Sequence, residues 1–199
     1  LKNEKEKKDK RVLWSLNLDQ LIWGPYSLKN HRTDSRDIVV QDSTNEIHYI
    51  GANGNVKWSK VLDGKILGRP FQIDAFQNNK FQFLFNTEKS IYAIDILGNS
   101  LENFPISLPF RATNELVALD YDQNKNYRLL IALENNRIYN YDLLGNSVLG
   151  WEKPLIKSPI HHPISHFAIG GLDYIFTIQD NGVVNLYNRK GQLLSLIHI

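Results

Sequence analysis

Short apolar runs recur along this chain with a period of two, and polar turn residues separate them. Strand side chains alternate between two faces. Runs of β-branched, aromatic and leucine residues bounded by Asn, Asp, Gly and Pro therefore predict strands. The pattern places them at 26–30, 38–41, 46–50 and 56–62, then at 71–76, 81–85, 91–95 and 100–104. A third set falls at 115–120, 127–133, 138–142 and 147–151, and a fourth at 164–169, 174–178, 183–187 and beyond Gln192. No segment keeps a helical period.

One phrase returns in each set. It begins at Ile47, Ile91, Ile138 and Val184 and reaches a glycine seven residues later, at Gly54, Gly98, Gly145 and Gly191. Those glycines lie 44, 47 and 46 residues apart. Asp95 and Asp142 precede two of them by three residues, and Gly51 takes that place in the first set. A period in the forties with four short strands per unit is the signature of a β-propeller blade. The fold expected is all-β: a propeller segment of about four four-stranded antiparallel blades, read as part of a larger propeller. A second phrase, Val12-Leu-Trp14-Ser15, returns at Val56-Lys-Trp58-Ser59. It extends the pattern toward the N-terminus and predicts that 12–18 is the outer strand of an earlier, incomplete blade. Blade boundaries follow at 12–62, 66–104, 112–152 and 164–193, after a charged arm at 1–11.

A blade is covered on both faces by its neighbours, so the repeated apolar positions are expected to fill the seams. Trp14 and Trp58 each follow a turn and are expected to cap a neighbouring blade, with Phe104 and Trp151 as the corresponding, displaced aromatics. The last six residues, 194–199, match one reading frame of a transposase adapter used in sequencing. They are expected to be a non-native tail.

Composition changes this picture little. Hydrophobic residues make up 42% and charged residues 22%, as in ordinary globular proteins. No apolar run is long enough to cross a bilayer, so insertion of this segment into a membrane is not expected. With no cysteine, disulfides and thiol chemistry are excluded. The net charge of +2 belongs to the arm, where Lys2 to Arg11 hold six basic and three acidic residues. Glu4, Glu6 and Asp9 oppose phosphate contacts there, and no nucleic-acid partner is expected.

The phrases Ile91-Tyr-Ala-Ile-Asp95-x-x-Gly98 and Gly54-Asn-Val-Lys-Trp58 resemble the blade consensus of quinoprotein-type propellers over about residues 12–193. Asn86-Thr87, Ala112-Thr113-Asn114, Asp120-Tyr121-Asp122 and Ile164-Ser-His-Phe167 with Gly170-Gly171 resemble an uncharacterised family of Bacteroidetes envelope-associated proteins. That resemblance implies an extracytoplasmic, membrane-tethered protein of which this chain is the C-terminal region. The chain departs from the enzyme pattern: Glu102 and Leu149 stand where Trp58 stands in the first blade. No quinone-stacking Trp and no catalytic Asp can be assigned.

Candidate chemistry is sparse. Asp120-x-Asp122-x-Asn124-x-Asn126 has the alternating oxygens of a calcium loop. It lacks the glycine at its sixth position, and Ile131 stands at the twelfth, so a polar turn accounts for it better. His161, His162 and His166 form a cluster without an adjacent carboxylate, which leaves a zinc set incomplete. Scattered Ser, His and Asp residues suggest no triad. The expectation is a non-enzymatic scaffold with no cofactor, making protein–protein contacts in a bacterial cell envelope. Arg32, Arg36, Arg69 and Arg111, with Tyr26 and Phe110, are its candidate contact points. A quinone-dependent dehydrogenase is one alternative. A carbohydrate-binding module using an exposed Trp23 is another. A fragment with uncovered blade edges is also expected to self-associate.

Overall fold

The computed structural model describes residues 12–198, with side chains up to 195; the charged arm lies outside the described residues. It contains four antiparallel sheets and, among the described residues, no helix. The first sheet is β1 (Leu21–Lys29), β2 (Arg36–Asp42), β3 (Glu46–Ile50) and β4 (Val56–Val61), paired in chain order. The second is β5 (Leu67–Ile73), β6 (Gln82–Asn86), β7 (Ser90–Asp95) and β8 (Ile106–Ser107). The third holds β9 (Val117–Leu119), β10 (Arg128–Leu133) and β11 (Arg137–Tyr141). The fourth holds β12 (Ser165–Ile169), β13 (Leu172–Ile178), β14 (Val183–Tyr187) and β15 (Leu193–His198). Each sheet is a meander, as a propeller blade requires.

The seams between sheets are the cores. Val39, Ile47 and Tyr49 of the first blade pack against Phe83, Phe85 and Ile94 of the second. Leu84, Ile91 and Ala93 of the second face Leu129, Ile131 and Tyr141 of the third. Leu130, Ala132 and Ile138 of the third meet Ile164, Ile175 and Tyr187 of the fourth. Alternate residues of one strand thus serve opposite seams, which is why middle strands are apolar at consecutive positions. The first strands of neighbouring blades adjoin: Gln72 of β5 donates to the Lys29 carbonyl and accepts the Lys29 N–H.

The repeat glycine is a steric notch. Gly54, Gly98, Gly145 and Gly191 all have positive φ and close the same turn onto a carbonyl three residues back. The repeat acid caps that turn. One Asp95 oxygen accepts the N–H groups of Leu97 and Asn99, and Asp142 does the same for Leu144 and Asn146. A tryptophan from the preceding unit then covers the turn. Trp14 Nε1 donates to the Ala52 carbonyl and Trp58 Nε1 to the Ile96 carbonyl, each at 3.1 Å. A Cβ on Gly54 would stand 2.5 Å from the Trp14 ring, and one on Gly98 3.0 Å from the Trp58 ring. Trp151 differs: its ring lies 3.3 Å from the Gly191 Cβ position, beside Pro154 at 3.1 Å, but its Nε1 donates to the Ile138 carbonyl of its own blade. Trp14 and Trp58 therefore cap neighbouring blades as expected, whereas Ile106 and Asn103, not Phe104, lie nearest Gly145.

Three predicted strands differ. Residues 12–18 form no strand, although Trp14 docks where a blade's outer-strand aromatic belongs. Residues 100–104 hold a single bridge, Ile94 to Ser100, before the Phe104 N–H closes a turn onto the Leu101 carbonyl. The outer strand forms later, at β8. In the third blade Trp151 N–H closes the same kind of turn onto Val148, and bridges at Ser147 and Leu155 replace the strand predicted at 147–151. Both turns swing a large aromatic into the seam, and Phe104 and Trp151 are buried. Burying the ring outweighs the ladder bonds that a straight strand would make.

Candidate functional site: the loop face

In a meander of four strands, the first and third connections emerge at one end and the second at the other. The first-to-second strand loops and third-to-fourth strand turns therefore share one face. Its loops are joined laterally. Lys125 Nζ of the third blade contacts the buried Asp74 carboxylate of the second at 2.5 Å, and Gln77 Nε2 donates to the Asn124 carbonyl. Two cavities open here. One, of about 450 Å³, lies between His31, Arg32, Phe76, Lys80 and Leu97. The other, of about 780 Å³, lies between Asp122, Leu172, Tyr174, Arg189 and Leu194. Phe76 and Leu97 line the smaller and Leu172 the larger, and Leu144 stands on the third blade's turn of the same face, each more than half exposed. Leu97 and Leu144 occupy the same repeat position, held outward by the rigid Asp-capped turn.

The second cavity is edged by a charged chain. Arg189 Nη1 pairs with Asp122 at 2.8 Å, and its Nε contacts Asp173. Asp173 in turn accepts from His166 Nε2 at 2.6 Å. The Arg189 guanidinium lies over the Tyr121 ring, a cation–π contact across the seam between the third and fourth blades. Burial would raise the Asp173 pKa, but His166 and Arg189 outweigh it and hold the carboxyl below its ordinary value.

The predicted site residues fall as follows. Asp120 accepts the N–H groups of Asn124 and Lys125, and Asn124 Oδ1 accepts that of Asn126. Asp74 caps the preceding blade's loop identically through Asn78 and Asn79. The calcium-like spacing is thus the spacing of a hairpin cap, and Asp122 is paired with Arg189. The three histidines do not converge. His161 bonds Asp180, His166 bonds Asp173, and the His162 carbonyl accepts from Asn114. Trp23 is not an exposed sugar platform: it is buried, its ring tilted against Tyr26, and its Nε1 contacts the Gly68 carbonyl. Its apolar period on β1 pointed inward, and the aromatic content of 21–26 masked that. Of the expected contact arginines, Arg32 lines the smaller cavity on the loop face. Arg111 pairs with Glu88 toward the opposite end.

Sequence reasoning missed one constellation. Asp42, at the end of β2, contacts His48 Nε2 at 2.8 Å, and His48 Nδ1 contacts Ser59 Oγ at 2.7 Å. His48 and Ser59 are direct partners across β3 and β4. The other Asp42 oxygen accepts the Thr44 and Glu46 N–H groups and the Thr44 hydroxyl. The signal available in sequence was a turn acid followed by a histidine on the next strand, which spacing alone does not join to Ser59.

Burial would raise the Asp42 pKa. Hydrogen bonds from His48, Thr44 and the Glu46 N–H outweigh it and bring the value to about 2. Asp37, Asp74 and Asp173 are depressed as well. An unfolded aspartate titrates near about 4. Each such group contributes stability that is complete above that value and lost as pH falls through the folded pKa. Urea unfolding is therefore expected to show constant stability from pH 7 to 5 and a steep loss between about pH 4 and 2. Asp42→Asn is expected to flatten that slope. A wild-type stability unchanged down to pH 2 would contradict these assignments.

No family profile matches the chain, and no curated protein matches it in sequence. Solved structures do. The BBS1N propeller crystallised in complex with ARL6DN superposes with a TM-score of 0.59 at 12% identity, over 82% of this chain and 50% of that one. The Neurospora crassa Pan2 WD40 domain gives 0.55 at 12% identity, over 90% and 50%. The chain spans about half the length of these structures. They establish a WD40-like β-propeller fold. No helix among the described residues is long and apolar enough to cross a membrane.

Proposed function

We propose that this chain is a propeller scaffold that binds a protein partner through its loop face, in a bacterial cell envelope. The observation that carries this reading is the set Phe76, Leu97, Leu144 and Leu172, exposed on the loop face, with Phe76, Leu97 and Leu172 lining two cavities there. Large apolar side chains held outward by capped turns lose little entropy when a partner covers them, which favours binding. The similarity to BBS1N, crystallised in complex with ARL6DN, supports the same reading. The envelope location rests on the resemblance carried by Asn86-Thr87, Ala112-Thr113-Asn114 and Gly170-Gly171.

The double variant Leu97→Asp/Leu144→Asp tests it. Both side chains are solvent-facing, so the unfolding curve is expected to match wild type. The partner recovered with the wild-type chain from its native envelope is expected to be lost from the variant. Equal recovery by both, with equal folding, would overturn the loop face as the binding surface.

A further inference from the structure

The structure holds a second site that the scaffold reading does not use. We propose that Asp42, Glu46 and His48, with Asp19 across a small cavity, bind a divalent transition-metal cation of the zinc type. One ligand atom from each of Asp42, Glu46 and His48 lies within 4.8 Å of the others. Among the described residues this is the one such His and carboxylate group. Glu46 and His48 are two apart on β3, so they share a face. Asp42 enters from the end of β2, and its turn-capping oxygen fixes the carboxylate so that the second oxygen meets the ring.

The imidazole is arranged as a metal-binding histidine is. Its Nε2 bonds the Asp42 carboxylate in the metal-free chain; a cation at Nε2 replaces that proton, and Ser59 Oγ can then accept from Nδ1–H. That Nε2 and the Asp42 oxygen are 2.8 Å apart. Ligands sharing one tetrahedral ion with bonds of about 2.0–2.2 Å stand roughly 3.4 Å from each other, so the pair opens slightly to admit the cation. Nitrogen with carboxylate oxygen suits zinc and its neighbours, whereas calcium takes oxygen alone.

The repeat supplies an independent comparison. Asp63 lies 44 residues after Asp19, at the same place in the next unit. There Asp63 meets donors: Thr87 and Ser90 hydroxyls each give it a bond of 2.6 Å. The counterparts of Thr87, Ser90 and Tyr92 in the first blade are Ser43, Glu46 and His48. One of the two hydroxyls that hold Asp63 is thus kept, at Ser43, and the other is replaced by the Glu46 carboxylate. Asn17, Asp19, Asp42, Glu46 and His48 line one cavity of about 360 Å³.

The test is zinc binding to the whole chain at pH 7.5, by competition with a chromophoric chelator, alongside thermal unfolding with and without zinc. One equivalent is expected to bind and to raise the midpoint. Glu46→Gln and Asp19→Asn, neither in the packed core, are each expected to weaken binding at least tenfold while leaving the metal-free midpoint unchanged. Calcium is expected to compete poorly. Absence of zinc binding, affinity unchanged in both variants, or calcium binding more tightly than zinc would each overturn the assignment.

Discussion

Gly98→Val is expected to lower the unfolding free energy by about 3 kcal/mol. Two causes add. The backbone at Gly98 has φ +90, where a β-branched residue is strained by roughly 1–2 kcal/mol. The new side chain also occupies the place of the Trp58 ring, whose atoms lie 3.0 Å from the position of a Cβ. Trp58 then loses its bond to the Ile96 carbonyl and its stack on Tyr49, where the ring centroids are 5.2 Å apart. Gly150→Ala separates the two causes. Gly150 has φ +81 but nothing within 4 Å of its Cβ position, so only backbone strain applies, about 1 kcal/mol. Chemical denaturation of both variants checks this. Equal losses would mean that the tryptophan cap adds nothing.

Phe83→Ala is expected to cost about 4 kcal/mol, the usual range for emptying a buried aromatic site. Phe83 is 1% exposed and sits in the middle of an aromatic column crossing the first seam. Its ring lies 6.2 Å from Tyr49, 6.1 Å from Trp58 and 5.7 Å from Phe85, which stacks on Tyr92 at 5.2 Å. Tyr49 and Trp58 belong to the first blade and the others to the second, so the cavity would loosen the joint between blades. Phe83→Leu keeps most of the volume and is expected to cost about 1.5 kcal/mol or less. If both substitutions cost the same, the column is not packed as described.

Much of this fold is legible in the sequence because the repeat writes the turns in residues with narrow conformational roles. Asp95, Asp142, Gly98 and Gly145 mark hairpins that only a cap and a positive φ can close, and the middle strands fall where Ile47, Ile91, Ile138 and Val184 place them. The outer strands are less legible. Residues 100–104 and 147–151 carry strand-like alternation, yet the chain turns there to bury Phe104 and Trp151, a tertiary preference that periodicity does not encode. The candidate sites are the least legible part. The exposure of Leu97 and Leu144 depends on which face a turn occupies. His48 finds Asp42 and Ser59 through strand register, while His161 and His166, close in sequence, are drawn apart to Asp180 and Asp173.

The scaffold reading is tested most directly by a photo-crosslinking amino acid placed in turn at Leu97, Leu144 and Leu172, and at Glu88 and Asn136 on the opposite end, in cells that make the protein naturally. The account predicts one crosslinked partner shared by the three loop-face positions and absent from the other two. Crosslinks confined to Glu88 and Asn136, or spread equally over both ends, would contradict it.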